Sequence, residues 1–370
     1  MMQEKKNILL TGATGTVGSW LMRRYLADES VHLLVVARDK GRHSAEMRIA
    51  RALGIDSPEN LPAGKLEILR WDLGRSGFGL EEREYRRLME HRLLVIHGAA
   101  TTRLGDSEAN CRRVNLEGTH HILEFCREAH RRGMLQRLSH ISTAYVAGNQ
   151  LETPLLEDSL PSHPVFSNFY EMSKYLAEVS VRKDMADGLP ATIFRPSIVV
   201  GDSTSGRPSS FNVLYPFTRI LVNGALSQVP VDAEGRMNLV PIDFVVDCIA
   251  AISAVPESLG KTFHLVSRVP QRIGMLMDLQ QHFPELAHLF SRTRLVHPSE
   301  FDPSRLSEEE MGIYEAISAY LPYLSDHVDF DTANMDALLP RLGLRWPETG
   351  MPFLCKLFEY VIEVGYIQTS

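Results

Sequence analysis

Short apolar runs recur along the amino-terminal half of the chain, and stretches with helical periodicity separate them. Asn7–Leu10 reads as a buried strand, followed by a glycine turn and a helix through about Ala27. Val31–Ala37, Leu66–Arg70, Leu93–His97, Leu135–Ser142 and Ala191–Phe194 read as further strands. Long helical patterns cover about Ala109–Arg132 and about Tyr170–Ala186. Strands that alternate with helices pair in parallel through right-handed crossovers. The pattern predicts an α/β fold, a Rossmann-type doubly wound parallel sheet, with ligands at the carboxyl ends of the strands.

After Gly201 the texture changes. Gly201–Ser210 is rich in Ser, Gly and Pro and reads as a loop. Helical patterns follow, with a short strand near Thr262–Val266 and connectors at Phe301–Ser307 and Arg345–Pro352. Residues 1–201 are expected to form the nucleotide-binding domain. Residues 202–370 are expected to form a smaller, mostly helical substrate-binding part, with 239–266 partly returning to the Rossmann domain.

Composition narrows the class. A chain of 370 residues is large for one compact domain and natural for a nucleotide-binding domain with an added part. Apolar residues at 44% and charged residues at 23% are ordinary for a globular enzyme. The net charge of −7 argues against charge-driven binding to nucleic acid or an anionic membrane. Cys111, Cys126, Cys248 and Cys355 are scattered, without a CxxC pair or Cys/His spacing. They read as reduced thiols, with no disulfide frame and no metal site. The polar start predicts no signal peptide, and no apolar run is long enough to span a bilayer. The expected location is cytoplasmic; peripheral membrane contact and a homodimer stay open.

The first chemistry-bearing motif is Thr11-Gly12-Ala13-Thr14-Gly15-Thr16-Val17-Gly18, between strand and helix. Gly12 allows the tight turn, Gly15 lets backbone approach a pyrophosphate, and Gly18 lets the helix pack on the strand. The helix amino terminus then offers free N–H groups to phosphate. At the end of the second strand stands Arg38, where an NAD enzyme usually carries Asp or Glu for the ribose. A guanidinium there suits the 2′-phosphate of NADP(H), with Arg42 and Arg48 as helpers. Asp39 beside it is the alternative ribose ligand.

With these residues in place the chain resembles the extended short-chain dehydrogenase/reductase superfamily, in order from about residue 7 to 266. By that resemblance Asp72 and Leu73 lie by the adenine, and Gly98, Ala99, Ala100 and Thr101 line the cofactor. Asn115 steadies the central sheet, and Pro196, Ser197 and Ile198, in a later landmark of the extended members, also bind the cofactor. His140-Ile141-Ser142-Thr143-Ala144-Tyr145-Val146 resembles the motif with the catalytic hydroxyl, and Tyr170-Glu171-Met172-Ser173-Lys174 is the Tyr-x-x-x-Lys signature. The first of these strings, Arg195-Pro196-Ser197-Ile198-Val199-Val200-Gly201-Asp202-Ser203 and Asn238-Leu239-Val240-Pro241-Ile242-Asp243 look closest to the thioester reductase and fatty acyl-CoA reductase branch, the male-sterility-type NAD-binding proteins. The resemblance implies NADPH-dependent reduction of an acyl thioester, presented on CoA or by an acyl carrier protein, to an aldehyde, and leaves open whether a second NADPH takes it to the alcohol.

The catalytic set expected is Thr143, Tyr170 and Lys174. Tyr170 and Lys174 are four apart on a helix and share a face. An ammonium beside the phenol is expected to lower its pKa, and the phenol hydroxyl would act on a carbonyl oxygen as hydride arrives. Thr143 would hold the same oxygen. Strand alternation admits one of Ser142 and Thr143 to the groove, so Ser142 is the alternative.

Other features take plain readings. His120-His121 is a packed or solvated helix pair, and Met275 and Met277 belong to a core pattern. Phe211, Leu214, Tyr215 and Phe217 read as core, with acyl contact as a second reading. Arg127, Arg131, Arg132 and Arg137 read as a solvated helix end, with docking of an acidic carrier as the alternative. Competing functions on the same core are a sugar-nucleotide epimerase or dehydratase, a hydroxysteroid-type dehydrogenase, and a non-catalytic NADP-binding regulator.

Overall fold

Seven parallel strands form the centre of the computed structural model, which describes residues 5–149, 154–290, 292–324 and 328–367. They are β1 (Lys6–Thr11), β2 (Val31–Val36), β3 (Leu66–Leu69), β4 (Leu93–His97), β5 (Leu135–Ile141), β6 (Ala191–Pro196) and β7 (Thr262–Leu265). Their order is β7-β6-β5-β4-β1-β2-β3. The chain winds outward from β1 in one direction and from β4 in the other, so a crevice opens where Thr11 pairs with His97.

Burial explains the apolar runs. A strand covered on both faces sends alternate side chains into two cores. Ile8 and Leu10 of β1 join Leu33, Val35 and Ile96 on one face, packed under the helices Thr16–Leu26 and Ile242–Ser253. Leu9 joins Leu34, Val95, Ile122 and Phe125 on the other, under the helix Gly118–Arg131. A third apolar cluster is built from later residues, among them Leu214, Phe217, Met237, Leu276, Leu354 and Phe358. Short strand pairs stitch this part together: Ile198–Val200 runs parallel to Leu239–Pro241, and Arg294–Val296 parallel to Gln228–Pro230.

Two local expectations change. The helical stretch expected at about Ala109–Arg132 is interrupted by a π-helical segment at Arg112–Glu117, a feature that often marks a functional position. Arg137 is not part of a solvated helix end. It lies on β5, buried, and its guanidinium donates to Ile252 O, Val255 O and Ser258 Oγ. Those carbonyls belong to the end of the helix Ile242–Ser253 and the turn after it, so the cation satisfies groups the helix leaves unpaired. Arg127 pairs with Asp184, and Arg131 and Arg132 both pair with Glu128. Among the described residues no helix is long and apolar enough to cross a membrane.

Candidate active site

The crevice at the strand ends deepens into a groove of about 410 Å³. Gly12 opens it with φ +76°, and a Cβ there would lie 2.5 Å from the Gly98 carbonyl carbon on β4's exit. A Cβ on Gly18 would lie 2.1 Å from Gly12 O. Both positions therefore demand glycine, and the turn lies flat against the adjoining strand end. Gly15 is the N-cap of the helix Thr16–Leu26, without a side-chain cap, so the first-turn N–H groups face the groove unclaimed by a side chain. This cradle fits a pyrophosphate.

Most of the expected cofactor residues line the groove: Gly12, Thr14, Gly15, Thr16, Val17, Gly18, Arg38, Arg48, Asp72, Leu73, Gly98, Ala99, Ala100, Pro196, Ser197 and Ile198. Three do not. Thr11 sits behind the turn, its hydroxyl 2.7 Å from His97 Nδ1 and accepting from Ala99 N at 3.2 Å. Thr101 turns away to donate to Asp106 at 2.7 Å, and Thr102 lines the groove in its place. Asn115, in the π-helical segment, accepts from Thr101 N at 2.8 Å and donates to Thr101 O and Ser173 Oγ. It ties the loop after β4 to the helix Phe169–Ala186, which carries Tyr170 and Lys174.

Arg48 reaches back from its own helix. Its guanidinium donates to Arg38 O at 2.5 Å and Thr14 Oγ1 at 3.0 Å, beside the glycine turn. Arg38 points into the groove 3.8 Å from Asp72. Asp39 is engaged elsewhere: its carboxylate accepts from Ala45 N at 2.8 Å and from Arg70 at 2.9 Å. Arg42 is exposed and does not line the groove.

At the other end stand Thr143, Tyr170 and Lys174. The Thr143 hydroxyl donates to Pro196 O at 3.4 Å and lies beside the Tyr170 hydroxyl. Lys174 is buried and donates to Ile141 O at 2.8 Å, which leaves two of its three hydrogens for a ligand. Burial lowers the ammonium to about 8, against the pull of Glu178. Burial also pushes the Tyr170 phenol up to about 12, and the neighbouring Thr143 hydroxyl opposes it. This corrects the expectation of a phenol made more acidic by its lysine. Desolvation dominates the shift, and Tyr170 keeps its proton at neutral pH.

Ser142 and Thr143 both line the groove. Strand alternation does not separate them, because β5 ends at Ile141 and the chain has left the pleat. Their partners do. Ser142 donates to the buried Glu178 carboxylate at 2.6 Å, while the Thr143 hydroxyl lies beside that of Tyr170. Glu178 also accepts from Arg195 at 2.7 Å and Arg182 at 2.8 Å, and these cations hold it at about 2 despite burial. Beneath the site His97 is pressed down to about 3 by burial and stays neutral.

Sequence reasoning missed part of the wall. Leu104, Tyr145, Val213 and Tyr323 line the groove near Tyr170, and Arg113 and Gly74 line it near Asp72. Of the aromatic run after Gly201, Leu214, Tyr215 and Phe217 are core, and Phe211 stacks on Tyr366 at 4.0 Å. His120 contacts Ser180 and His121 contacts Leu73 O. Among the described residues no cluster of His, Cys, Asp and Glu could hold a metal.

Known proteins resemble this chain. The nonribosomal peptide synthetase asaC of Aspergillus flavus is 29% identical over 280 residues, which cover 71% of this chain and 26% of that protein. The candidate fatty acyl-CoA reductase CG8306 of Drosophila melanogaster is 26% identical over 329 residues, covering 74% of this chain and 61% of that one. The chain thus spans only part of each relative's length. The solved structure of the terminal R domain from the myxalamid PKS-NRPS biosynthetic pathway superposes with a TM-score of 0.82 at 25% identity, covering 100% of this chain and 93% of that one. Residues 10–249 match the family model described as Male sterility protein, and the chain belongs to that family of NAD(P)H-dependent reductases of the extended short-chain dehydrogenase/reductase type.

Proposed function

We propose that the chain reduces an acyl thioester with NADPH, releasing an aldehyde that a second NADPH can carry to the alcohol. The observation that carries this reading is the convergence of Thr143, Tyr170 and Lys174 on the groove that also holds the glycine turn. The relatives include a fatty acyl-CoA reductase candidate and a multidomain peptide synthetase, which supports a thioester on CoA or on a carrier protein.

NADPH is favoured over NADH by charge. Two guanidiniums, Arg38 and Arg48, border the groove near the end of β2. The carboxylate that could have taken the ribose, Asp39, is held by Arg70 and Ala45 N. The same distribution speaks against the sugar-nucleotide and hydroxysteroid alternatives that keep NAD through an acidic residue there.

The bound nicotinamide supplies the hydride. Lys174 would hold the adjoining ribose with its two free hydrogens. Thr143 and Tyr170 would donate to the thioester oxygen, as an oxyanion hole does. As the carbonyl carbon gains hydride, the oxygen gains negative charge, and a protonated phenol is the form that can donate to it. Collapse of the hemithioacetal oxyanion breaks the C–S bond and releases an aldehyde and a thiolate, which takes up a proton from solvent to become the free thiol. The segment from residue 202 onward would supply the substrate side, through Val213 and Tyr323.

The test is to incubate the purified chain with NADPH and a panel of acyl-CoAs and carrier-bound acyl groups. Consumption of NADPH with release of free thiol and aldehyde is expected. Silence across the whole panel would remove the reading.

A further inference from the structure

Tyr323 lies outside residues 10–249 that match the family model, yet its ring lines the same groove as Tyr170. It is 3% exposed. It meets Tyr145 edge to face, with centroids 4.6 Å apart and planes at 70°. Its hydroxyl accepts from Asn168 Nδ2 at 2.8 Å and also bonds Glu171. Asn168 is the N-cap of the helix that carries Tyr170 and Lys174, accepting from Glu171 N at 3.0 Å. Glu171 closes the cap by accepting from Ser167 N at 2.9 Å. The Tyr323 ring is therefore pinned through its hydroxyl and through its face. A tyrosine has few rotatable bonds to begin with, so this one is a fixed wall.

The wall stands on the substrate side. Leu104, Tyr145, Tyr170, Val213 and Tyr323 all belong to or pack against the third apolar cluster, whereas Ala13 of the glycine turn belongs to the first. Tyr145 is itself placed by the catalytic hydroxyl, since its N–H donates to Thr143 Oγ1 at 3.3 Å. The aromatic pair thus begins two residues from the oxygen-binding group.

We propose that Tyr323 is a specificity-determining residue. With Tyr145 it limits the cross-section of the acyl group next to the reacting carbonyl, so that the chain selects thioesters that are narrow and unbranched at that end. The inference rests on the thioester reading above. Space filled by a pinned ring is closed to a branch or an aromatic carbon on the acyl α-position, while a straight methylene chain can lie along it. Misfits of a methyl or so in an apolar pocket are worth roughly 10- to 200-fold in kcat/KM.

The experiment compares the unaltered chain with Tyr323→Ala, Tyr323→Leu and Tyr323→Phe on straight, α-branched and aromatic acyl-CoAs. Tyr323→Ala is expected to raise the kcat/KM of branched or aromatic thioesters relative to straight ones by about tenfold or more, with KM for NADPH unchanged. Tyr323→Leu should shift the ranking the same way by less, and it serves as the readout should the alanine variant not fold. Tyr323→Phe keeps the ring and should keep the ranking. A folded alanine or leucine variant with the original ranking overturns the inference. So does a Tyr323→Phe variant that shifts as far as the alanine, because the effect would then pass through the Asn168 bond and not the ring. Absence of turnover by the unaltered chain with every thioester removes the underlying reading and this inference with it; turnover with an unmoved ranking removes only the role of Tyr323.

Discussion

Replacing Arg38 with alanine separates NADPH from NADH more cleanly than any other change in the groove. The guanidinium is 53% exposed and 3.8 Å from Asp72, so it is neither buried nor tightly paired. Its removal leaves the glycine turn untouched, because the contacts to that region come from Arg48, which holds Arg38 O and Thr14 Oγ1. A hydrogen bond to a charged group is worth about 1.5–3 kcal/mol, and half exposure places this one at the lower end. At 1.4 kcal/mol per factor of ten, NADPH affinity should fall about tenfold. NADH, which lacks the 2′-phosphate, should change by less than a factor of about two on the same arithmetic. Salt should erode NADPH binding in the unaltered chain more than in the variant, since exposed charges are screened. Arg48→Ala behaves differently: it frees Thr14 and the Arg38 carbonyl, so both cofactors should weaken. The assay is a fluorescence titration with each reduced cofactor at low and high salt. Equal weakening of NADPH and NADH by Arg38→Ala would show that the 2′-phosphate is read elsewhere, with Arg113 the next cation on the groove.

Three other outcomes are expected. Tyr170→Phe should abolish turnover while NADPH still binds, because the phenol faces the substrate oxygen and not the phosphates; loss of cofactor binding in this variant would refute its assignment. Thr143→Ala should cost about 100-fold or more in kcat, in the range seen for a lost oxyanion donor, and Ser142→Ala far less, since Ser142 spends its proton on Glu178; the reverse order would make Ser142 the working hydroxyl. Activity should fall as pH rises through about 8, where Lys174 loses its proton, and Tyr170 at about 12 adds no limb below that. Stability moves the other way. The folded Lys174 value lies below its ordinary 10.5, so the unfolded chain holds that proton more tightly, and this residue's contribution to stability rises between about 8 and 10.5. If kcat and melting temperature decline together across that window, alkaline unfolding and not Lys174 explains the loss.

The sheet was legible because strands buried on both faces read as continuous apolar runs: Leu93–His97 has the same limits in sequence and structure. The glycine turn was legible because close backbone approach leaves no substitute for glycine at 12 and 18. What stayed hidden depended on distant partners. The burial of Arg137 is decided by carbonyls some 115 residues later in the chain. Periodicity cannot show the added residue per turn in Arg112–Glu117, yet that segment carries Asn115, which binds Thr101 and Ser173. The spacing of Tyr170 and Lys174 told of a shared face and nothing of desolvation, so the direction of the phenol's shift was reversed. Tyr323 follows no motif. It enters the groove because the third cluster packs its segment there.

The accuracy of the site has its origin below it. Tyr170, Lys174 and Glu178 repeat at helical spacing, so one face of a single helix presents the phenol, the ammonium and a fully buried carboxylate. A buried ion pair is costly to desolvate and is repaid only when its remaining donors and acceptors are matched. Here they are. Arg195 reaches Glu178 and also meets Leu156 O, Ser159 O and His264, while Glu178 takes Ser142 and Arg182 as well. Arg195 lies on β6, Ser142 just after β5, His264 on β7, and Leu156 and Ser159 on the segment before the Tyr170 helix, while Arg182 is on that helix itself. A roll of that helix by one residue would break the bonds from Glu178 to Arg195 and Ser142 together, leaving Arg195 buried without its carboxylate and Glu178 with Arg182 alone. The network therefore works as a register pin: it fixes which face the helix turns to the groove, and through Ser142 it leaves Thr143 as the hydroxyl beside that of Tyr170.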